Sequence, residues 1–192
     1  HQLVAIRAAL SSDPRPAEPP DGLAELDEAI AAQRRKVVRA AEGQPLAADL
    51  LVISNLLHQR AELTGQDPGK SIEIAEALVA LLDPPEQSAA VLQLALALFS
   101  RGSLPDLRRA AELLRGLREQ HPERSPERAK TCAHGGLVHA KLAATSGDPA
   151  DVAEAIELLD AALAELPDGG LRRRAWIARA SLHQLRFLEM GG

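Results

Sequence analysis

Residues 147–167 read Gly147-Asp148-Pro149-Ala150-Asp151-Val152-Ala153-Glu154-Ala155-Ile156-Glu157-Leu158-Leu159-Asp160-Ala161-Ala162-Leu163-Ala164-Glu165-Leu166-Pro167, and this stretch decides the fold. Gly147 supplies the positive φ that ends a preceding helix. Asp148 suits an N-cap, and Pro149 suits the first helical turn, where its missing N–H costs nothing. Val152, Ala155, Ile156, Leu159, Ala162, Leu163 and Leu166 recur at steps of three and four, which is one apolar stripe of a helix of period 3.6. Asp151, Glu154, Glu157, Asp160 and Glu165 lie mostly off the stripe and read as a solvated face. Pro167 stops the helix.

Weaker copies of this unit occur upstream. Gly65-Gln66-Asp67-Pro68 leads into a helix that ends at Asp83-Pro84-Pro85, and Gly102-Ser103-Leu104-Pro105 leads into one that ends at His121-Pro122. Leu26-Asp27-Glu28-Ala29-Ile30 is a fainter copy. Pro68, Pro105 and Pro149 lie 37 and 44 residues apart, inside the window of helical solenoids. The composition agrees: 46% of the 192 residues are hydrophobic but only 2% aromatic. Strands favour β-branched and aromatic residues; a chain rich in Ala, Leu, Glu and Arg favours helix.

The order of a small residue, a large apolar one, a second small one and a closing proline, carried by Ala155, Leu159, Ala162 and Pro167, resembles the second helix of tetratricopeptide-type repeats. Ala110, Leu114 and Pro122 follow most of it. The run Thr145 to Ile156 is similar to the long repeats of actinobacterial proteins that end in a caspase-like CHAT protease domain. The likeness covers residues 21–190. It lacks the family's first-helix tryptophan, leucine-glycine and tyrosine, since the chain has no Tyr. The resemblance implies an all-α, right-handed α-α superhelix that binds a peptide or protein segment in a concave groove lined by inner helices.

Taken in order, Gln2 to Leu10 has a short helical pattern, and residues 12–20 form a proline-rich linker. Helices are predicted at 23–41, 46–64, 69–82, 86–101, 105–120, 125–146, 150–166 and 171–189. That makes about nine, in antiparallel hairpins at 46–82, 86–120 and 125–166 with a closing helix, within one repeat domain over 21–192. The run Ala89 to Phe99, interrupted by Gln93, is too short to span a bilayer and reads as a buried helix. A net charge of −5 gives no basic field for nucleic acid, and one cysteine forms no internal disulfide. A cytoplasmic, reducing setting fits. The start at His1 without Met reads as an excised piece of a longer bacterial protein.

Few residues suggest chemistry. Gly65 to Ser71 has three residues between its glycines where a phosphate-binding loop needs four, and it follows a helix, so it reads as a repeat turn. Cys132, His134 and His139 share a helix without a carboxylate at metal-ligand spacing, which favours a buried thiol and surface imidazoles. Gly135-Gly136 in mid-helix implies close helix packing or a kink; a ligand approaching exposed backbone is the sharper alternative. His58, His139 and His183 occupy comparable places in their units and read as half-exposed rings. Trp176 reads as an anchor against the preceding hairpin.

No catalytic, metal or cofactor site emerges, and no enzyme activity is expected. The polar residues on the otherwise apolar inner helices are the candidate ligand contacts: Asn55, Gln59, Gln93, His134, Lys141, Arg179, His183 and Arg186. The excess of His, Lys and Arg among them toward the C-terminal end suggests an acidic ligand. The function expected is a non-catalytic scaffold for a peptide or protein partner, with no nucleic-acid or membrane role. An intramolecular clamp of a multidomain signalling or transcription regulator, and a helical small-molecule-binding domain, are the alternatives.

Overall fold

A computed structural model describes residues 22–39, 46–84 and 86–190, with side chains as far as residue 184. The expected N-terminal helix and linker, at 1–20, lie outside the described residues. Within them the chain is all-helical: α1 (Leu23–Arg39), α2 (Ala47–Thr64), α3 (Gly69–Leu81), α4 (Gln87–Arg101), α5 (Leu104–Gln120), α6 (Pro126–Ser146), α7 (Pro149–Glu165) and α8 (Gly170–Met190). Boundaries fall within two residues of those predicted.

The punctuation works as the residue types dictate. Gly65 and Gly147 close α2 and α6 in the left-handed region, at φ 66° and 72°. Ser103, Ser125 and Asp148 cap α5, α6 and α7, each accepting a hydrogen bond from a backbone N–H of the first turn, with a proline just inside. At the start of α3 the N-cap is Pro68 and no side chain caps the helix. The turn between α5 and α6 holds Arg124 at φ 59°, an uncommon conformation for a residue with a Cβ.

The helices divide into two compact units, with the boundary between Ser100 and Arg101. In the first, α2 packs on α1 and on α3. Ile30, Val37, Leu50, Ile53, Leu57, Ile74 and Leu78 form its core, joined by Ala90 of α4. Two buried serines join α2 to α3: Ser54 Oγ donates to the Ser71 carbonyl at 3.0 Å, and Ser71 Oγ to the Ser54 carbonyl at 2.8 Å. The two hydroxyls lie 3.1 Å apart. Asp27 and Asp49 tie α1 to α2 through Arg60 at 2.7 Å and Lys36 at 2.6 Å.

In the second unit each helix packs on the next, and α8 touches α6 as well as α7. Its core is small-residue rich: Ala129, Cys132, Ala133, Ala155, Leu158, Leu159, Ala162, Ala175 and Leu182. The contact between α6 and α7 is the most extensive in the chain. Gly136 explains it, because a Cβ there would sit 2.6 Å from Leu159 Cγ and 3.2 Å from the Ala155 carbonyl oxygen. Close packing, rather than a kink, is the use of this glycine. Trp176 corrects an expectation: it is 61% exposed and anchors nothing, since α8 turns Ala175 and Leu182 into the core instead.

Candidate functional site

A concavity lies wholly in the second unit, as a cleft of about 630 Å³ between α5 and α7 with α6 as its floor. Each helix contributes one stripe. From α5 come Leu104, Arg108, Ala111, Arg115 and Arg118, at steps of three and four, with Glu112 and Leu114 beside them. The floor is Thr131, Gly135, His139, Leu142 and Ser146 of α6. Asp148, Ala150, Asp151, Glu154 and Leu158 complete it from the start of α7. Gly135 keeps the floor low, since a Cβ there would meet Leu158 Cδ1 at 3.3 Å.

The walls carry opposite charge. On the α7 side the acidic groups are organised: Asp148 Oδ1 accepts from the Ala150 N–H at 2.9 Å, and Asp151 Oδ1 lies 2.9 Å from His139 Nδ1. Ser146 Oγ reaches Asp151 Oδ2 at 3.4 Å. A carboxylate oxygen accepts, so the His139 ring donates through Nδ1 to Asp151. Across the cleft, Arg118 Nη1 comes within 3.9 Å of Glu154 Oε1. Arg108 and Arg115 are exposed and form no ion pair or hydrogen bond among the described residues. One wall therefore offers donors and the other acceptors, over a floor of Thr131, Gly135, His139, Leu142 and Ser146.

Of the eight residues singled out from sequence, the seven with described side chains lie elsewhere. Asn55 and Gln59 are exposed on α2, with Gln59 Nε2 3.5 Å from Asn55 Oδ1. Gln93 is buried on α4, its Nε2 without a partner, so it faces packing rather than an open groove. His134 and Lys141 are partly buried on α6. Burial pushes the His134 imidazole down to about 4, and the charge of Arg174 acts in the same direction. Arg179 is engaged by Asp160 of α7, and His183 is exposed on α8. The Arg186 side chain lies outside the described residues. None of the seven with described side chains lines the cleft.

The three histidines read as equivalent also part company. His58 is buried, 6% exposed, with Nδ1 unpartnered and its pKa lowered by burial against a partial offset from Glu62. His139 is in the cleft and His183 is on the surface. Cys132 is a buried thiol whose pKa burial raises. Among the described residues no group of three His, Cys, Asp or Glu side chains is placed to hold a metal ion, and no helix is long and apolar enough to cross a membrane.

Compared with protein-family models, with curated proteins and with solved structures, the chain matches none of them.

Proposed function

We propose that this chain is a non-catalytic helical interaction module, a tetratricopeptide-like solenoid piece of a larger bacterial protein, that holds a protein segment in the α5–α7 cleft. The observation that carries the reading is the cleft itself: about 630 Å³ of open space over a glycine-lowered floor, between walls of opposite charge. A groove of mixed apolar and polar lining between charged rims matches how short protein segments are taken. The segment belongs to a separate protein or to another part of the same parent chain, and the setting is cytoplasmic. The acidic-ligand site expected around Arg179 gives way to this cleft, because Asp160 already occupies that guanidinium.

The test is a peptide-display selection on the immobilised chain, followed by binding to Gly135→Leu and Ala111→Trp variants, each of which fills the cleft from a different helix. Peptides that bind the wild type and lose affinity for both folded variants support the reading. Equal binding to all three moves the site off the cleft. Failure to enrich any peptide overturns segment binding. The cleft volume also lies within the roughly 300–1,000 Å³ of small-molecule sites, and that second reading predicts thermal stabilisation by a metabolite.

A further inference from the structure

We infer that the occupant of the cleft is an amphipathic helix with split charge: an apolar stripe flanked by Asp or Glu on one side and by Lys or Arg on the other. This rests on the segment-binding reading and specifies its ligand.

The conformation follows from the surroundings. Every element around the cleft is helical, so no strand edge offers main-chain partners to an extended segment. A bound helix satisfies its own amides and carbonyls. The length suits one, since the α5 wall from Leu104 to Arg118 runs for about 21 Å at 1.5 Å per residue, or nearly four turns. Leu104, Ala111 and Ala150 give the cleft its accessible apolar side chains, since Leu114, Leu142 and Leu158 are almost fully buried.

The charge order follows from the walls. Arg108 and Arg115 stand two turns apart on α5 with no ion pair among the described residues, although Glu112 lies between them. Carboxylates spaced seven residues apart on the incoming helix meet both. Asp148 and Asp151, at the start of α7, form the facing wall and repel a second acidic flank. That wall takes lysine or arginine. The two flanks of the occupant are thus required to differ, and reversing the direction of the bound helix interchanges them without relaxing the requirement.

The experiment uses the full 192-residue chain and three labelled helical peptides with the same leucine stripe, carrying split, all-Glu or all-Lys flanks, read by fluorescence anisotropy. The split peptide is expected to bind about tenfold more tightly than either uniform one, the size set by two exposed ion pairs gained and one repulsion avoided. In Arg108→Glu/Arg115→Glu both walls become acidic, and the all-Lys peptide becomes the tightest. A central proline in the split peptide abolishes binding. Equal binding of the three peptides, an unchanged order in the double variant, or tolerance of the proline overturns the inference. If display-selected peptides occupy the cleft and the helical ones do not, segment binding stands and the split-charge helix falls. If neither set binds, both fall.

Discussion

Arg128 and Arg172 do the same work at corresponding points of the second unit. Arg128 Nη1 donates to the carbonyls of Arg118 and His121, both at 3.2 Å, and so closes the C-terminal end of α5. Arg172 Nη1 donates to the carbonyls of Leu163 and Leu166 at the end of α7. In both cases a cation from the first turn of the next helix donates to carbonyls at the C-terminal end of the previous one, and it sits at the negative end of that helix's dipole.

Arg128→Ala and Arg172→Ala are each expected to lower stability by about 1–2 kcal/mol, as loss of charge-assisted bonds to carbonyls implies. Urea denaturation followed by far-UV circular dichroism checks this. Substitution by lysine recovers only part of the loss, because one ammonium does not reproduce the fork that spans two carbonyls. A double variant more stable than the sum of the single losses would mean that the two caps are coupled.

Neighbouring glycines on α6 are expected to behave oppositely. Gly136→Ala gains about 1 kcal/mol of helix propensity, but its methyl meets Leu159 at 2.6 Å and 2.8 Å and the rigid Ala155 carbonyl oxygen at 3.2 Å. Overpacking of that kind costs about 1–3 kcal/mol, so the net is a loss. Gly135→Ala meets only the movable end of Leu158 at 3.3 Å and keeps most of the propensity gain. The midpoint of urea unfolding should fall for the first and rise slightly for the second.

Much of this was legible from the residues, and the limits have physical causes. Helix ends could be read because Gly147, Pro149, Ser103 and Pro167 act through local backbone geometry, which needs no tertiary context. The double glycine signalled a close approach for the same reason. The cleft was not legible, since it depends on where three stripes from different helices converge. Its signal was present in Thr131, Gly135, His139, Leu142 and Ser146, which share one face of α6. Polarity on an apolar helix did not point to the cleft: Gln93 is buried, and Arg179 pairs with Asp160. Trp176 misled because a large aromatic usually buries area, whereas α8 turns it outward.

Acid sensitivity should come in two steps. The folded His134 titrates at about 4 against 6.5 in the unfolded chain, so between those values the unfolded chain binds the proton and the folded one does not. Stability therefore falls as pH drops from 6.5 toward 4, and this group adds no further loss below that. Buried His58, also lowered, acts in the same sense. Asp106 is held below its usual range by the Arg101 guanidinium, at 2.5 Å and 2.8 Å, and by the Ser103 hydroxyl, with burial opposing. Its contribution is intact above 3.8 and is lost as pH falls through its lower folded value. A His134→Gln variant should shrink the first step to the part that His58 contributes; Asp106→Asn should remove stability at neutral pH and flatten the second.

Arg124→Gly should stabilise the chain by about 0.5–1 kcal/mol. The left-handed conformation at φ 59° costs a side-chain-bearing residue about 1 kcal/mol or more, and glycine's greater unfolded-state freedom returns part of the gain. Thermal melts of the two proteins measure the difference, and an unchanged midpoint would show that the arginine side chain compensates for its backbone.

The reciprocal bonds between Ser54 and Ser71 index α2 against α3 like a key in a slot. Slide either helix by one turn and two buried hydroxyls face apolar neighbours with nothing across from them. The alignment of this hairpin is thus written in its interior rather than in its connection. Residues inserted between Gly65 and Pro68 should bulge outward and leave the register unchanged, which makes this turn a place where natural variants are free to differ in length.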